Sequence, residues 1–231
     1  MNHLLEMIDV HTYYGASHVL HGVSFSMREG ETLALMGRNG MGKTTTIRSL
    51  LGLTPPRAGS VVVRGEAVTG WPAHRIARRG IAVVPEGRGI FPTLTVQENL
   101  LVAARAGPWT LDRALGLFPR LREYRRRLGT QISGGEQQML SIARALMTNP
   151  SLLLLDGATE GLAPRVRKEI WQALRGLRQE GTATLVVDKE IDALLNLADR
   201  SLVMVKGRLA FIGTAAEWDA RREENLALLR A

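Results

Sequence analysis

Residues 37–44 read Gly37-Arg38-Asn39-Gly40-Met41-Gly42-Lys43-Thr44 and match the pattern G-x-x-x-x-G-K-[ST] at every position. The apolar stretch 32–36 before them predicts a short strand, and the residues after them predict a helix that ends near Leu51. Glycines in such a loop let backbone N–H groups turn toward phosphate oxygens, and the helix N-terminus adds the positive end of a dipole. The stretch therefore predicts a site for a nucleoside triphosphate.

The side chains of this loop have separate expected roles. Lys43 is expected to reach the β- and γ-phosphates, and the Thr44 hydroxyl is expected to ligate Mg²⁺. The alternative is a glycine-rich turn that carries a surface lysine. The residues expected to bind the nucleotide in this segment are Gly37, Arg38, Asn39, Gly40, Met41, Gly42, Lys43, Thr44 and Thr45.

A second motif is the run of four leucines at 152–155 that ends in Asp156. An apolar run of this length predicts a strand that is buried on both faces. The C-terminal end of a parallel strand opens on the ligand crevice, so Asp156 is expected to hold the Mg²⁺ together with Thr44.

The rest of the chain predicts an α/β fold. Strand patterns at 3–10 and 19–27 indicate an N-terminal antiparallel part, 59–64 reads as another strand, and 81–84 reads as a buried strand. Helical periodicity dominates at 96–105, 111–118 and 135–147, which predicts a helical subdomain inserted at about 90–148. Strands at 184–187 and 201–205 alternate with helices at 165–179 and 191–198, as in a mainly parallel sheet. We expect residues 1–231 to form a single domain with the helical subdomain nested in it.

The amino-acid composition excludes several classes of protein and of site. The 231 residues are 45% hydrophobic and 23% charged, which excludes wholesale disorder. Cysteine is absent, so disulfides, thiolate catalysis and zinc–thiolate sites are excluded. No apolar run approaches the ~20 residues of a membrane helix, and acidic Glu6 and Asp9 near the start do not fit a secretory signal.

The charge balance is strongly basic. Net charge is +8, and 26 of the 30 cationic residues are arginines, with one dense run at 120–127. This indicates either attraction to an acidic partner or a solvated surface that happens to be rich in arginine. Charge alone does not decide between them.

A third motif, Ile132-Ser133-Gly134-Gly135-Glu136-Gln137-Gln138, resembles the signature of ABC-transporter ATPases, and it stands between the two nucleotide motifs as in that family. The resemblance covers essentially the whole chain. It implies a P-loop NTPase core and a head-to-tail dimer, in which each ATP lies between the phosphate loop of one chain and the signature of the other. Ser133 is expected to cap the helix, and Gly134 and Gly135 to free backbone N–H groups for a γ-phosphate.

Further positions match this family one by one. Tyr14, 29 residues before Lys43, resembles the aromatic residue that stacks on adenine, although a tyrosine packed on the core is the alternative. The segment 161–164 resembles the loop that pairs across the dimer. Glu86, within Val84-Pro85-Glu86-Gly87-Arg88, stands where most members carry glutamine, and the resemblance places it near Mg²⁺ and the attacking water.

The Pro-Glu-Gly-Arg context and the chain length resemble the second, shorter ATPase subunit of branched-chain amino acid importers. This resemblance implies a peripheral protein at the cytoplasmic face of the inner or plasma membrane. Its implied partners are a second ATPase subunit or a second copy, two membrane permease subunits and a solute-binding protein. Nucleic acid is not an expected partner. The implied catalytic residues are Lys43, Glu86, Lys189, Ser133 and Gly135.

Two positions depart from the family pattern. Gly157 stands where the family has the glutamate that polarises the attacking water, and Lys189 stands where the family has its switch histidine. Loss of such a carboxylate typically costs on the order of 10²- to 10⁴-fold in rate, so one composite site is expected to be degenerate. Glu160 could supply a carboxylate, but three residues further on we expect it to face the dimer loop.

Two alternative functions remain open from the sequence. One is a subunit that binds ATP without hydrolysing it and so holds a dimer closed, which Gly157 favours. The other is a nucleic-acid-associated ABC ATPase, which the pI near 10.7 suggests. The chain lacks the duplicated ATPase domains, coiled-coil arms and zinc cysteines that would favour the second.

Overall fold

The computed structural model describes residues 3–230, which form two β-sheets and a layer of helices. The strands are β1 (Leu5–Tyr14), β2 (Ser17–Met27), β3 (Thr32–Met36), β4 (Ala58–Val63), β5 (Glu66–Ala67), β6 (Ile81–Val84), β7 (Leu152–Asp156), β8 (Ala183–Val187), β9 (Arg200–Val205) and β10 (Arg208–Thr214). The helices are α1 (Lys43–Leu50), α2 (Ala73–Ala77), α3 (Val96–Leu101), α4 (Leu111–Leu117), α5 (Pro119–Glu123), α6 (Gly134–Leu146), α7 (Pro164–Gln179), α8 (Ile191–Leu197), α9 (Ala215–Ala220) and α10 (Arg222–Arg230).

The central sheet has the strand order β10-β9-β3-β8-β7-β6. All its neighbouring strands run parallel except β9 and β10. The expectation of a mainly parallel α/β sheet is confirmed. Because β3, β8, β7 and β6 are parallel neighbours, their C-terminal ends meet at one edge, where the phosphate loop and Asp156 both lie.

The central sheet is buried on both faces, and its side chains alternate between two hydrophobic cores. Leu152 and Leu154 belong to the core shared with the second sheet and α1, whereas Leu153 and Leu155 belong to the core shared with the helices. All four leucines have no measurable exposure. The unbroken apolar run is what a parallel strand covered on both sides requires.

The second sheet has the order β2-β1-β4-β5 and is antiparallel throughout, which confirms the N-terminal antiparallel part. Helices α3 to α6 all lie between β6 and β7, where the sequence predicts the inserted helices. Helix α3 ends at Leu101, earlier than the predicted 105, because the chain turns away and the Arg105 N–H donates to the Met147 carbonyl instead. None of the helices within residues 3–230 is long and apolar enough to cross a membrane.

The sequence patterns did not predict β5, β10, α2, α5, α9 or α10. Strand β10 follows β9 through a two-residue turn, in which Lys206 and Gly207 both have positive φ (45° and 75°). Such a turn matches the twist of antiparallel strands. A Cβ on Gly207 would lie 1.9 Å from the Val19 carbonyl oxygen, so the turn also packs directly on β2.

Candidate functional site

The phosphate loop connects β3 to α1 and is shaped by three glycines with positive φ: Gly37 (146°), Gly40 (79°) and Gly42 (108°). A Cβ on Gly37 would lie 2.5 Å from the Met204 carbonyl oxygen, so a side chain there would displace the loop. Gly42 is the N-cap of α1 and gives no side-chain hydrogen bond to its first turn. The first N–H groups of α1 thus have no side-chain cap, which suits an anion.

A cavity of about 420 Å³ opens above this loop, at the edge where the parallel strands end. It brings together the phosphate loop, the end of β7 and the segment after β6. The lining residues are Val19, Asn39, Gly40, Gly42, Lys43, Thr44, Thr45, Glu86, Asp156, Gly157, Glu160 and Val187. The predicted residues Lys43, Thr44, Glu86 and Asp156 therefore share one cavity.

Other predicted loop residues lie beside this cavity. Gly37, Arg38 and Asn39 line a neighbouring cavity of about 400 Å³ together with Asp188 and Lys189. Met41 lines neither cavity, and its carbonyl accepts a hydrogen bond from the Gly207 N–H at 2.9 Å. Met41 therefore fixes the loop to the β9–β10 turn.

Lys43 stands at the first position of α1, and its ammonium folds back over the loop. The Nζ atom donates to the carbonyl oxygens of Gly37 and Arg38, each at 2.8 Å. Burial lowers the pKa of Lys43, and Glu160 and Asp156 oppose that shift. A partly desolvated ammonium beside uncapped helix N–H groups is suited to bind a multiply charged phosphate.

Asp156 is the last residue of β7 and is only 6% exposed. Burial raises the pKa of Asp156, and the nearby Glu86 and Glu160 charges add to that shift, while a hydrogen bond from the Thr44 hydroxyl opposes it. A carboxylate and a hydroxyl in contact are oxygen donors of the kind Mg²⁺ takes, and Mg²⁺ usually needs only one or two protein carboxylates beside substrate phosphates. Within residues 3–230, no group of three or more His, Cys, Asp or Glu side chains could hold a metal alone.

Tyr14 ends β1 and is 44% exposed, so it is not packed in the core. Burial alone would raise the pKa of Tyr14, but hydrogen bonds with Thr54 and Thr45 and the Arg48 charge outweigh it and lower the pKa. These contacts hold the ring against α1, next to the phosphate loop. Tyr14 does not line the phosphate cavity itself.

Ser133 and Gly135 lie outside the phosphate cavity, at the start of α6. The Ser133 side chain accepts a hydrogen bond from the Glu136 N–H, and Glu136 accepts one from the Ser133 N–H at 2.7 Å, which confirms the predicted cap. A Cβ on Gly135 would lie 2.8 Å from Val166 of α7, and one on Gly134 would lie 2.7 Å from the Arg88 guanidinium. Close packing against Val166 thus favours glycine at 135, whereas a side chain at 134 would only displace the flexible end of Arg88.

The position of Glu160 differs from its expected one. Glu160 lines the phosphate cavity with Lys43 and Glu86 instead of facing away from it. Its carboxylate lies 2.9 Å from the Lys189 ammonium, and the hydrogen bond and charge of Glu160 raise the pKa of Lys189. The expectation failed because the Thr159 N–H and hydroxyl donate to Asp188, which holds the turn so that Glu160 leaves it toward the cavity.

Sequence reasoning also missed Val19 and Val187 as lining residues of the cavity. Both belong to strands, and their place in the cavity follows from how the two sheets pack. Glu160 is recognisable in the sequence as a possible source of a carboxylate, because it follows Gly157 by three positions, but its direction into the cavity is not.

Comparison with known proteins agrees with this geometry. A family described as "ABC transporter" matches residues 20–160. The chain is 44% identical to the high-affinity branched-chain amino acid transport ATP-binding protein BraG of Pseudomonas aeruginosa, over 92% of this chain and 94% of that protein. It is 34% identical to the probable branched-chain amino acid transport ATP-binding protein LivF of Archaeoglobus fulgidus, over 93% of each.

Among solved structures, one similar to this chain is the dimeric post-hydrolysis state of the ATP-binding cassette MJ0796 bound to ADP and Pi. It superposes with a TM-score of 0.80 at 25% identity, covering 91% of this chain and 98% of that one.

Proposed function

This chain belongs to the ABC transporter family of ATP-binding proteins, and from that premise we propose that it energises an importer for branched-chain or related amino acids. The observation that carries the proposal is the cavity shared by Lys43, Thr44, Glu86 and Asp156. The amino acid class is supported by the two relatives, whose names assign them to branched-chain amino acid transport.

In the proposed reaction this chain holds Mg²⁺ and ATP at the C-terminal edge of the central sheet. The phosphate-loop N–H groups and Lys43 bind the phosphates, and Tyr14 stacks on adenine. Thr44 and Asp156 hold the metal, with Glu86 beside them in the same cavity. When bound, Mg²⁺ neutralises charge on the β- and γ-phosphates.

The partner in catalysis is a second ATPase subunit or a second copy of this chain, joined head to tail. Support comes from the position of Ser133 and Gly135, which lie outside this chain's own cavity. Ser133 is exposed at the start of α6, so this helix N-terminus is accessible to complete the site of a partner, whose own signature helix then completes the site at Lys43. The similar solved structure is a dimer.

The proposed membrane partners are two permease subunits, supplied with solute by a binding protein, and this chain is peripheral at the cytoplasmic face. An apolar groove of about 350 Å³ supports docking of a permease segment. Its lining includes Leu53, which is 50% exposed, and small residues such as Ala73, Ala77 and Ala145. Ala103 also lines the groove, and Leu101 and Val102, which precede it in the chain, are 46% and 60% exposed.

Gly157 makes this chain's own site degenerate at the residue after Asp156, because glycine has no side chain that could orient a water. The second candidate function therefore is a subunit that binds ATP without hydrolysing it. The two candidates share the ATP site and differ in whether ADP forms at Lys43.

The proposed function is tested by uptake of labelled leucine, isoleucine and valine in cells that lack this chain. Wild-type protein should restore uptake, Lys43→Ala should not, and Lys168→Ala should restore it because Lys168 is an exposed lysine on α7. Restoration by Lys43→Ala would contradict a role of ATP at this site. Unchanged uptake on removal of the chain would contradict the substrate class.

A further inference from the structure

We propose that Glu160 is the carboxylate that orients the attacking water at this chain's own phosphate site, and that Lys189 is its positioning residue. The proposal rests on the proposed function, because it concerns hydrolysis of the ATP bound at Lys43 and Thr44. In this proposal the site departs from the family sequence at residue 157. The carboxylate that Gly157 lacks is supplied by Glu160, three residues later in the chain.

The space beside Gly157 supports this assignment. A Cβ placed on Gly157 would lie 3.7 Å from Cγ, 3.8 Å from Cδ and 3.9 Å from Cβ of Glu160. These are ordinary contact distances, so the Glu160 side chain folds back over Gly157 and its carboxyl carbon lies next to the point where a side chain at 157 would begin. Both residues line the phosphate cavity. A carboxylate is therefore present beside the residue that has none.

The turn that carries Glu160 is held firmly. The Thr159 N–H and hydroxyl donate to one Asp188 oxygen at 2.6 and 2.8 Å. The N–H groups of Gly157 and Ala158 donate to the Val187 carbonyl at 3.0 and 3.2 Å. Thr159 and Asp188 are 1% and 5% exposed, so these bonds are shielded from water. The end of β8 thus fixes the direction in which Glu160 leaves the turn.

The charges around Glu160 suit a group that works next to a phosphate. Its Oε2 atom lies 2.9 Å from the Lys189 Nζ atom. Burial lowers the pKa of Lys43, and nearby carboxylates raise it again; Glu160 has the largest effect of these carboxylates, ahead of Asp156. The carboxylate therefore pairs with the Lys189 ammonium and shares a cavity with the Lys43 ammonium, which is assigned to the terminal phosphates. Lys189 offsets the repulsion that a bare carboxylate would exert on a phosphate.

The chemical step needs a water, the nucleotide and one acceptor for a proton. The water oxygen forms a bond to the γ-phosphorus as the bond from that phosphorus to the β–γ bridging oxygen breaks, and ADP leaves with the electron pair. Glu160 accepts the hydrogen bond of the water, takes its proton as the new bond forms, and releases the proton to solvent. The products are ADP and inorganic phosphate.

The test uses the whole transporter but measures hydrolysis only of the nucleotide that is bound to this chain. The transporter is purified through a tag on this chain and incubated with azido-ATP labelled on its α-phosphate, which is then cross-linked by light. Total label on this chain reports binding, and the ratio of ADP to ATP in that label reports hydrolysis at its own site. The variant is Glu160→Gln, and its control is Glu180→Gln, which also removes an ion-paired carboxylate, bound to Arg113, outside the cavity.

We expect the wild-type chain and Glu180→Gln to form ADP, and Glu160→Gln to form it at least about 100-fold more slowly. Total label on Glu160→Gln should stay within about twofold of wild type, because glutamine keeps the size and the phosphate contacts lie elsewhere. The proposal would be overturned if Glu160→Gln formed ADP at the wild-type rate. It would also be overturned if the label on the wild-type chain were ATP alone. In a competition control, an excess of unlabelled ATP should prevent labelling of this chain by azido-ATP. Labelling that persists in the presence of unlabelled ATP would instead contradict the proposed function.

The role of Lys189 has its own test in the same assay. Lys189→Ala should slow ADP formation roughly tenfold with little change in the azido-ATP concentration that half-saturates labelling, since Lys189 acts through Glu160. Lys189→Arg should restore most of the rate, because it keeps a cation for the carboxylate. Equal rates in Lys189→Ala and wild type would remove Lys189 from the proposal. A parallel loss of labelling would assign it to phosphate binding.

Discussion

Replacing Lys43 by alanine removes an ammonium that bridges the phosphate loop, through its bonds to the Gly37 and Arg38 carbonyl oxygens at 2.8 Å. A unit charge pair about 4 Å apart is worth ~4 kcal/mol at the effective dielectric near a protein surface and ~1 kcal/mol in water. Since burial lowers the pKa of Lys43, the site lies nearer the first limit. We expect binding to weaken by about 2–4 kcal/mol, which is roughly 30- to 700-fold in Kd.

The assay is a titration of the purified chain with a fluorescent ATP analogue in the presence of Mg²⁺. The matched control is Lys168→Ala, which loses the same charge from an exposed site on α7 and should change Kd by less than about twofold. Thermal unfolding should stay close to wild type, because water can bond to the two carbonyl oxygens that Lys43 releases. Unchanged affinity of Lys43→Ala, or an equal loss in Lys168→Ala, would refute the assignment of the phosphate site.

Three further predictions concern adenine, metal and packing. Tyr14→Ala should cost ATP binding about 1–3 kcal/mol of stacking and leave triphosphate binding unchanged, as competition titrations would show; equal losses would contradict stacking. Thr44→Ala should raise the Mg²⁺ concentration that half-saturates ATP binding, whereas an unshifted Mg²⁺ titration would exclude Thr44 as a ligand. Gly207→Ala should destabilise the fold by about 3 kcal/mol in urea unfolding, because its Cβ would lie 1.9 Å from the Val19 carbonyl oxygen. The control Gly116→Ala, with open space around its Cβ in α4, should be neutral or stabilising, and equal stabilities would contradict the clash.

Local chemistry explains which parts of the fold the sequence could predict. The phosphate loop is recognisable because residues 37, 40 and 42 have positive φ, which strongly favours glycine, and the leucine run at 152–155 is recognisable because both faces of β7 are buried. The cap at Ser133 follows from a hydrogen bond to a residue three positions later. Each of these signals is complete within about ten residues.

The parts that sequence reasoning missed depend on distant residues. Glu160 points into the cavity because Asp188, far along the chain, holds the turn at Thr159. Strand β10 forms because β9 offers a free edge for pairing. Its sequence, RLAFIGT, does not alternate between polar and apolar residues, so it does not stand out as a strand. Helix α10 has only a weak amphipathic pattern, so the sequence does not reveal it. The structure places it near the phosphate loop, where the Arg38 side chain donates a hydrogen bond to the Arg230 carbonyl oxygen at 3.1 Å. Such contacts are properties of the assembled fold.

The neighbours of the central strand have a consequence for how the chain acquires its structure during synthesis. Strand β3 pairs with β8 and β9, so Thr32 meets Thr184 and Leu33 meets Arg200. The ribosome must therefore release residues up to 187 before the strand that precedes the phosphate loop has its first partner, β8, and residues up to 205 before it also has β9. The antiparallel sheet needs only residues up to 67 and can form early, whereas loop closure over 150 residues is slow. A nascent chain thus becomes able to hold nucleotide only near the end of translation, and until then the apolar edges of β3 depend on protection from aggregation.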